Sequence, residues 1–320
     1  MKAFLLAGGF ATRLWPLTER RPKPLLPLAG KPMLTHLIEK IPGNVAVTVS
    51  TNAAFETAFR EWMTTIAHPN VSLVVEGTTR DDHKLGALGA LAQWIEGSGI
   101  DDDLLILTGD NYLGFDLGHF LKTFRGNALL AAHDVGDKAK ATQFGVVMAE
   151  NGDNGTARRV TSFEEKPRDP KSTLVSTGCV LLPKQTLPTL LAFAKIKPDN
   201  LGGIFEELLS KGFPVDCFTF SEPWMDIGSF ATYLDAHRAL VGSKLIAAQG
   251  ALTDTQCHGS VCVGTASRIE KSDLTDCMIF DGARIRDCTL KNCVIDDDCV
   301  LEGLDLSGQM LRAGTVLRVS

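Results

Sequence analysis

The chain has 320 residues, of which 44% are hydrophobic and 22% are charged, and its formal net charge at pH 7 is −6. This length suits one large domain and a smaller one, each with a buried core. The negative net charge excludes a broad basic field, so we expect no binding of nucleic acid and only local recognition of phosphate. No run approaches the ~18 apolar residues of a membrane span. We therefore expect a cytoplasmic protein without membrane contact.

The chain opens with a short apolar run that is followed by two glycines and two separated cations. Residues 3–7 are typical of a buried strand in a parallel sheet. Because Gly8 and Gly9 carry no side chains, their backbone amides are open to a phosphate. Arg13 adds a planar fork of donors, and Lys23 adds a compact charge between two prolines. This combination predicts a triphosphate site, and a strand-to-helix turn with solvated cations is the alternative.

The same stretch resembles the signature of sugar-1-phosphate nucleotidyltransferases, a family that includes glucose-1-phosphate thymidylyltransferases and the corresponding uridylyl and guanylyl enzymes. That signature reads Leu-Ala-Gly-Gly-x-Gly-Thr-Arg-Leu, then Pro-Lys-Pro-Leu-Leu-Pro and Gly-Lys-Pro. Residues 6–14, 22–27 and 30–32 match it, except that Ala11 stands at one glycine position. If that position needs a positive φ, the methyl group costs on the order of 1 kcal/mol. We expect this strain to be compatible with activity.

By this resemblance, the opening stretch binds a nucleoside triphosphate. Arg13 would hold the β- and γ-phosphates, and Lys23 would hold the α-phosphate, where charge develops during transfer. The resemblance further implies that four residues of the turn contact the nucleotide, namely Ala7, Gly8, Gly9 and Thr12. The stretch does not match a dinucleotide-binding turn, because the Gly-x-Gly-x-x-Gly spacing is absent.

Alternating β-branched runs and amphipathic segments follow the opening stretch. Residues 45–49 and 71–75 predict strands, and residues 54–66 between them predict a helix. Another buried run covers residues 103–107, whereas strands without intervening helices are predicted from residue 144 onward. We therefore predict an α/β fold with a doubly wound, mixed and mainly parallel sheet, which is also the nucleotide-diphospho-sugar transferase fold that the resemblance implies.

Two residues are candidates for recognition of the base. Gly86 matches the family glycine that lets the base approach, and Glu76 is the nearest counterpart of the glutamine that reads the base in thymidylyl enzymes. An ionised carboxylate only accepts hydrogen bonds. Glu76 therefore suits N3–H of uracil or thymine, or N1–H of guanine, better than the bare N3 of cytosine. A solvated loop carboxylate is the alternative.

Two aspartates are candidates for holding Mg²⁺. Asp110 follows a buried run, and ligands of open α/β sheets bind outside the carboxyl ends of the strands. A turn-forming aspartate is the alternative at this position. Residues 224–228 resemble the family's Trp-x-Asp-Ile-Gly, in which the aspartate is the second magnesium ligand. The resemblance thus implies a magnesium ion between Asp110 and Asp226.

Candidates for the sugar phosphate lie between these aspartates. Glu165 and Lys166 match the family's Glu-Lys-Pro, in which the glutamate binds sugar hydroxyls and the lysine binds the sugar-1-phosphate. Gly145 and Gly178 match two further sugar contacts. A solvated turn is the alternative for the charged pair, and the order of the motifs along the chain favours the functional interpretation.

The composition changes after about residue 241, where short periodic pieces begin. Ile279 and Ile285 are six positions apart, and glycines recur among cysteines and aspartates. This spacing predicts a short left-handed parallel β-helix of three to four coils. Six of the eight cysteines lie here without a Cys-x-x-Cys pair, which favours buried core residues over a zinc site. We predict a catalytic domain over 1–242, a linker over 243–256 and the β-helix over 257–320.

These predictions describe an enzyme that joins a nucleoside triphosphate to a sugar-1-phosphate and releases pyrophosphate. We expect dTTP or UTP and glucose-1-phosphate to be preferred, and a guanylyltransferase of the GDP-mannose type is the alternative. A regulatory protein that binds sugar nucleotides without turnover is a rival, although it would usually have lost one of the charged site residues. An acyltransferase tail is a second rival, but His258 is the only histidine there. We expect the tail to join subunits of a homo-oligomer and to take no part in the chemistry.

Overall fold

A computed structural model describes residues 1–10, 12–79 and 84–319, so Ala11 lies outside the described residues. The chain divides into two compact units. The first comprises Met1–Gly9 and His36–Asp226, and the second comprises Phe10–Thr35 and Ile227–Ser320. The opening signature is therefore divided between them after its second glycine. No helix in the described part is long and apolar enough to cross a membrane.

The elements before residue 243 alternate between strands and helices in the first half and then become rich in strands. The strands are β1 (Lys2–Leu6), β2 (Pro27–Leu28), β3 (Lys31–Pro32), β4 (Ala46–Asn52), β5 (Val71–Glu76), β6 (Leu104–Thr108), β7 (Asn111–Leu113), β8 (Ala128–Asp134), β9 (Gly145–Ala149), β10 (Ala157–Glu165), β11 (Leu174–Leu182), β12 (Val215–Phe220) and β13 (Trp224–Asp226). The helices are α1 (Met33–Ile38), α2 (Glu56–Met63), α3 (Ala87–Ser98), α4 (Leu117–Thr123), α5 (Lys138–Ala141), α6 (Leu187–Ile196), α7 (Gly203–Ser210) and α8 (Phe230–Val241).

Within the described residues, nine of these strands form one mixed sheet in the order β5-β4-β1-β6-β11-β8-β12-β10-β9. The first four are parallel neighbours, as the alternation of runs and amphipathic segments predicts. Strand β11 is antiparallel to both β6 and β8, and β10 is antiparallel to β12 and β9. The doubly wound, mixed sheet that the sequence predicts is thus confirmed, with its antiparallel part after residue 144.

The central strands of this sheet are buried because their side chains are apolar on both faces. Phe4 and Ile106 pack into one cluster with Trp94 of α3, and the rings of Phe4 and Trp94 are 4.7 Å apart. Helices α6 and α7 contribute Leu190 and Phe205 to the same cluster. This core fixes the carboxyl ends of the strands, where the candidate site residues lie.

The tail folds into three parallel sheets of short strands, consistent with a β-helix. In the described residues two sheets hold five strands and the third holds four. The strands are β14 (Leu245–Ile246), β15 (Leu252–Thr253), β16 (Gln256–His258), β17 (Val261–Val263), β18 (Arg268–Glu270), β19 (Asp273–Thr275), β20 (Met278–Ile279), β21 (Arg284–Arg286), β22 (Thr289–Lys291), β23 (Val294–Ile295), β24 (Val300–Glu302), β25 (Asp305–Ser307), β26 (Met310–Leu311) and β27 (Val316–Arg318).

Successive coils place like residues on top of one another, as hexapeptide spacing predicts. Ile269 pairs with Ile285, and Ile279 pairs with Ile295, all within the buried core. Strands β14 and β15 lie within 243–256, the range predicted as a linker, and pair with β17 and β18. Coil formation therefore starts earlier than the sequence indicates, because strands of two residues give little periodic signal.

The cysteines of the tail lie in its core, as predicted. Cys277, Cys288, Cys293 and Cys299 are buried, and their thiols donate to backbone carbonyls, at 3.2 Å in the case of Cys299 and Arg312. Burial raises the pKa of the Cys299 thiol to about 11. A neutral thiol that packs like a small apolar residue follows from this environment.

The stretch from Phe10 to Thr35 packs within the second unit, on the tail. The guanidinium of Arg21 contacts the carboxylates of Asp297 and Asp296, the latter at 3.4 Å, and lies 5.1 Å from the centre of the Phe280 ring. Arg312 forms a second ion pair with Glu19, in which Nη2 is 2.7 Å from Oε1. Charged contacts at Glu19 and at Arg21 thus hold this stretch against the β-helix.

Candidate active site

The carboxyl ends of four parallel strands form one edge of the large sheet. The register places Leu6 of β1 beside Thr108 of β6, and Asn52 of β4 beside Glu76 at the end of β5. Ligands of open α/β sheets bind at such an edge. The predicted base reader Glu76 and the predicted metal ligand Asp110 therefore lie at the same edge, which agrees with a shared substrate site.

Glu76 lies against the glycine turn rather than in a solvated loop. A Cβ atom placed on Gly8 would be 3.0 Å from Oε1 of Glu76. The same oxygen accepts a hydrogen bond from the Ser50 hydroxyl at 3.1 Å, and Asn52 donates to the Gly8 carbonyl at 2.8 Å. Burial raises the pKa of Glu76, although hydrogen bonds from Ser50 and from the Leu85 backbone act in the opposite direction. This carboxylate is buried, oriented and adjacent to the predicted phosphate-binding backbone.

Gly86 has a structural requirement of its own. Its φ is +79°, and a Cβ atom there would be 2.6 Å from the Pro198 carbonyl oxygen. Any side chain would be strained at this angle and would collide with the backbone. The role of Gly86 in base binding stays a prediction, since this packing alone explains the glycine.

Six predicted residues line one cleft in the first unit, with a volume of about 220 Å³. They are the two predicted metal ligands and the four predicted sugar-phosphate residues, Asp110, Asp226, Gly145, Glu165, Lys166 and Gly178. These residues come from five different elements or their ends. The family resemblance implied that these residues share one site, and the structure brings them together in this cleft, while their roles stay predictions.

The two aspartates are held near each other by the short ladder between β7 and β13. Asp226 pairs with Asn111, the residue that follows Asp110. Asn111 is 8% exposed, and its amide donates to Oδ1 of Asp110 at 3.0 Å and to the Thr108 hydroxyl at 2.6 Å. The Trp224 indole in turn donates to Oδ1 of Asn111 at 2.8 Å. Asn111 therefore orients the Asp110 carboxylate, a role that the sequence analysis did not assign.

Glu165 is packed between two glycines. A Cβ atom on Gly202 would be 1.9 Å from Oε2 of Glu165, and one on Gly145 would be 2.8 Å from it. The Glu206 carboxylate accepts from the Glu165 backbone amide at 2.7 Å. Burial raises the pKa of Glu165, Lys166 lowers it and Glu206 raises it further. Gly202 and Glu206 were not identified from the sequence, because no local motif marks them.

Gly178 marks an irregularity at the end of the cleft. Its φ is +74°, and the register of β11 against β8 shifts between Ser176 and Val180. A Cβ atom on Gly178 would be 2.3 Å from the hydroxyl oxygen of Thr108. The bulge therefore needs glycine, so that β11 can lie close to Thr108 of β6, beside Asp110.

The remaining predicted residues belong to the turn after β1. Ala7 is buried, and its amide donates to the Ser50 carbonyl at 2.9 Å, while no atom lies within 4 Å of a Cβ placed on Gly9. In the second unit, Thr12 and Arg13 are exposed on a 3-10 turn, Thr12–Leu14. Lys23 begins another, Lys23–Leu25, and is 8% exposed.

Comparison with known proteins identifies the family of the chain. The family model described as nucleotidyl transferase matches residues 2–242. The chain belongs to this family. A mannose-1-phosphate guanylyltransferase of Mycobacterium tuberculosis is 29% identical over 321 aligned positions, which cover 92% of this chain and 82% of that protein.

Two further proteins resemble the chain over a smaller share of its length. A UTP–glucose-1-phosphate uridylyltransferase of Synechocystis is 28% identical over 259 positions, which cover 77% of this chain and 64% of that protein. The solved structure of a UDP-glucose pyrophosphorylase from Acinetobacter baumannii aligns with a TM-score of 0.63 at 18% identity, over 75% of this chain and 93% of that one. This structure shares the fold.

Proposed function

We propose that the protein transfers a nucleotidyl group from a nucleoside triphosphate to a hexose-1-phosphate. The observation that carries the proposal is the cleft in which two aspartates, a lysine and a half-buried glutamate converge. Magnesium and triphosphate chemistry needs carboxylates and cations, and sugar hydroxyls need acceptor oxygens. No covalent nucleophile is required for such a transfer, so positioning and neutralisation of charge account for catalysis.

In this reaction an oxygen of the sugar phosphate attacks the α-phosphorus in line. The new bond joins that oxygen to the α-phosphorus, the bond to the bridging oxygen of the β-phosphate breaks, and pyrophosphate leaves. Lys166 would align the attacking phosphate, while Glu165 accepts hydrogen bonds from sugar hydroxyls. Arg13 would hold the β- and γ-phosphates, and Lys23 would stabilise charge on the α-phosphate.

The aspartates of the cleft fit a magnesium ion. Asp110, in the turn before β7, and Asp226, in the adjacent strand β13, supply two hard anionic oxygens, and phosphate oxygens and water complete such a coordination shell in general. When bound, the ion would supply neutralisation of the phosphate charge during attack and departure. Asn111 would support binding of the ion by fixing the orientation of the Asp110 carboxylate.

We propose GTP as the preferred nucleotide, in place of dTTP or UTP. The two oxygens of the Glu76 carboxylate accept two hydrogen bonds, and guanine presents two neighbouring donors, N1–H and the N2 amino group. Uracil and thymine present one donor, N3–H, between two carbonyl acceptors that would face the second oxygen. The guanylyltransferase relative also extends over more of this chain than the uridylyltransferase relative. On the same ground we propose mannose-1-phosphate as the first sugar to test.

The Glu76→Gln variant tests the base assignment. Glutamine offers one acceptor and one donor, which matches N3–H and a carbonyl of uracil or thymine but loses the second donor of guanine. We expect the ratio of kcat/KM for GTP to that for UTP to fall by roughly 10- to 100-fold, as for the loss of one bidentate contact. Pyrophosphate release is measured with GTP, UTP, dTTP, CTP and ATP, each against the 1-phosphates of glucose, mannose, galactose and N-acetylglucosamine.

The matched control for this experiment is Glu61→Gln, which changes an exposed glutamate on α2. It should leave the nucleotide preference unchanged. The stability of the variant gives a second readout, because the pKa of Glu76 is raised by burial. Burial disfavours the charged form of Glu76 in the fold relative to the unfolded chain, so Glu76→Gln should raise Tm relative to the wild type more at pH 8 than at pH 5. An unchanged nucleotide ratio would refute the base assignment.

The Gly202→Ala variant tests the role of Glu165. The added methyl group would displace the Glu165 carboxylate, whose Oε2 would be 1.9 Å from it. We expect KM for the sugar-1-phosphate to rise roughly tenfold or more, because an interaction of about 1.4 kcal/mol or more is lost, with little change in KM for the nucleotide. Gly97→Ala is the control, since no atom lies within 4 Å of a Cβ there. Equal changes in both KM values would instead indicate a general disturbance of the site and contradict a role of Glu165 in sugar binding.

We also propose a homo-oligomer that is joined through the tail. Val316, Leu317 and Val319 at the last coil are 59%, 40% and 63% exposed, which leaves apolar surface at the end of the β-helix. Light scattering after gel filtration tests this: the wild type should exceed its monomer mass of 34.5 kDa, and Val316→Glu should reduce it. A monomeric wild type would contradict the proposal.

A further inference from the structure

A second cavity of about 650 Å³ lies in the first unit, and it shares no lining residue with the candidate active site. Its walls come from the ends of β8 and β12, from the hairpin between β9 and β10, and from residues 171–174. Strands β9, β10 and β11 contribute residues both to this cavity and to the first cleft. The cavity is therefore a separate space built on the same sheet.

Three buried polar atoms that have no hydrogen-bond partner in the described structure belong to residues lining this cavity. They are the Thr219 hydroxyl, Nδ1 of His133 and Nε of Arg158, which come from three different strands. Thr219 is only 2% exposed. A buried polar group without a partner costs about 1–3 kcal/mol, so such groups seldom occur together without a ligand or water to bond them.

The charges at the cavity favour an anion. Nη1 of Arg158 donates to the Gly152 carbonyl at 3.2 Å, and this neutral acceptor does not neutralise the guanidinium charge. Lys171 pairs with Glu164 at 3.1 Å, but both side chains are exposed, at 65% and 38%, and such pairs are weak. An oxyanion would satisfy the donor Nε of Arg158 in the geometry that guanidinium groups prefer.

One carboxylate, that of Asp134, also lines the cavity. Hydrogen bonds from the Thr173 hydroxyl and from the Gly136 amide lower the pKa of Asp134. The Gly136 bond is 2.9 Å long. The carboxylate therefore stays ionised, and its remaining lone pairs can accept a hydrogen bond from a hydroxyl group. The cavity combines an anion-binding side with a hydroxyl-binding side.

We propose that this second cavity binds a phosphomonoester that carries hydroxyl groups, such as a hexose phosphate. The phosphate would contact Arg158, Thr219 and His133, and a hydroxyl would contact Asp134. The volume is in the range of small-molecule sites. Inorganic phosphate offers the same anionic chemistry without hydroxyls, so it serves as the comparison ligand.

The cavity is connected to the candidate metal ligands through a chain of side-chain contacts within the first unit. The His133 ring lies 5.9 Å from the Trp224 ring, Trp224 donates to Asn111, and Asn111 donates to Asp110. A ligand that moves His133 would therefore change the orientation of the Asp110 carboxylate. This regulatory part of the proposal rests on the proposed function, whereas the binding part does not.

Titration of the full chain with glucose-6-phosphate tests the binding part, with calorimetry and tryptophan fluorescence as readouts and without nucleotide present. We expect saturable binding that Arg158→Gln weakens at least tenfold, as for the loss of a charge-assisted phosphate contact, and that Lys166→Gln in the active-site cleft leaves unchanged. Inorganic phosphate should bind more weakly than glucose-6-phosphate. Thr219→Val provides a second variant if Arg158→Gln lowers folding, which circular dichroism reports.

Several outcomes would overturn the proposal. Binding that is lost in Lys166→Gln and kept in Arg158→Gln would place the ligand in the active-site cleft. No binding of either ligand up to about 10 mM, a range that covers weak metabolite affinities, would refute the site. For the regulatory part, saturating glucose-6-phosphate should change the Mn²⁺ affinity of the protein at least twofold, and this change should disappear in Trp224→Phe. An unchanged Mn²⁺ affinity would refute the coupling and leave the nucleotidyl transfer itself unaffected.

Discussion

Asp110→Asn and Asp226→Asn are each expected to lower kcat by about a thousandfold, which corresponds to about 4 kcal/mol of transition-state stabilisation. Each change removes one anionic oxygen from the cleft while it keeps the shape of the side chain. Because Asn111 bonds to Asp110 and pairs with Asp226, the backbone at both positions should stay in place. The loss should therefore appear as weaker Mn²⁺ binding with unchanged Tm to within a few degrees.

Asp101→Asn is the matched control for these variants. Asp101 is 81% exposed and pairs with Lys184 at 3.5 Å, outside the cleft. An exposed pair of this kind contributes about 0–1 kcal/mol, so this variant should keep full activity. Wild-type rates in Asp110→Asn or Asp226→Asn, with magnesium as the sole divalent cation, would contradict the metal assignment.

Arg21→Ala is expected to raise KM for the nucleotide at least tenfold and to lower stability by roughly 3 kcal/mol. Arg21 connects the stretch that carries Arg13 and Lys23 to Asp296 and Asp297 of the β-helix. Asp296 is 3% exposed, and burial raises its pKa while Arg21 lowers it. Loss of Arg21 leaves this carboxylate buried without its cation, and the stretch loses a charged attachment to the tail.

The expected changes separate a positioning role from a purely structural one. Below the Tm of the variant, KM for the nucleotide should rise while KM for the sugar-1-phosphate stays within twofold. Arg20→Ala removes the neighbouring exposed arginine and should change neither value. Arg21→Lys keeps the charge but not the bidentate fork, so it should restore part of the nucleotide affinity. If Arg21→Ala changed only Tm, the tail would be a packing module alone.

This prediction revises the expectation that the tail takes no part in the chemistry. Sequence motifs placed Arg13 and Lys23 in a catalytic domain that ends near residue 242. The structure places both in one compact unit with the β-helix, where Glu19 contacts Arg312 and Arg21 contacts Asp297. The partners of each pair are far apart in the chain, so no local pattern indicates the contacts.

Local chemistry explains why other parts were predictable. The strand before Gly8, the buried run before Asp110 and the β-branched strands each follow from periodicity within a few residues. By contrast, Gly202 is required only because Glu165 folds against it, and Asn111 matters only because Trp224 and Asp110 meet there. Such requirements arise from tertiary packing, which a single sequence does not display.

Direct analysis of the products tests the central claim, that the chain forms a sugar nucleotide by transfer to a sugar-1-phosphate. Phosphorus NMR of full-length protein with GTP, mannose-1-phosphate and Mg²⁺ should show a nucleoside diphosphate sugar and pyrophosphate forming in equal amounts. Added pyrophosphate should reverse the reaction, because the transfer breaks one phosphoanhydride bond and forms another. Release of inorganic phosphate from GTP without a sugar nucleotide, or no product with any of the five nucleotides and four sugar phosphates, would contradict the account.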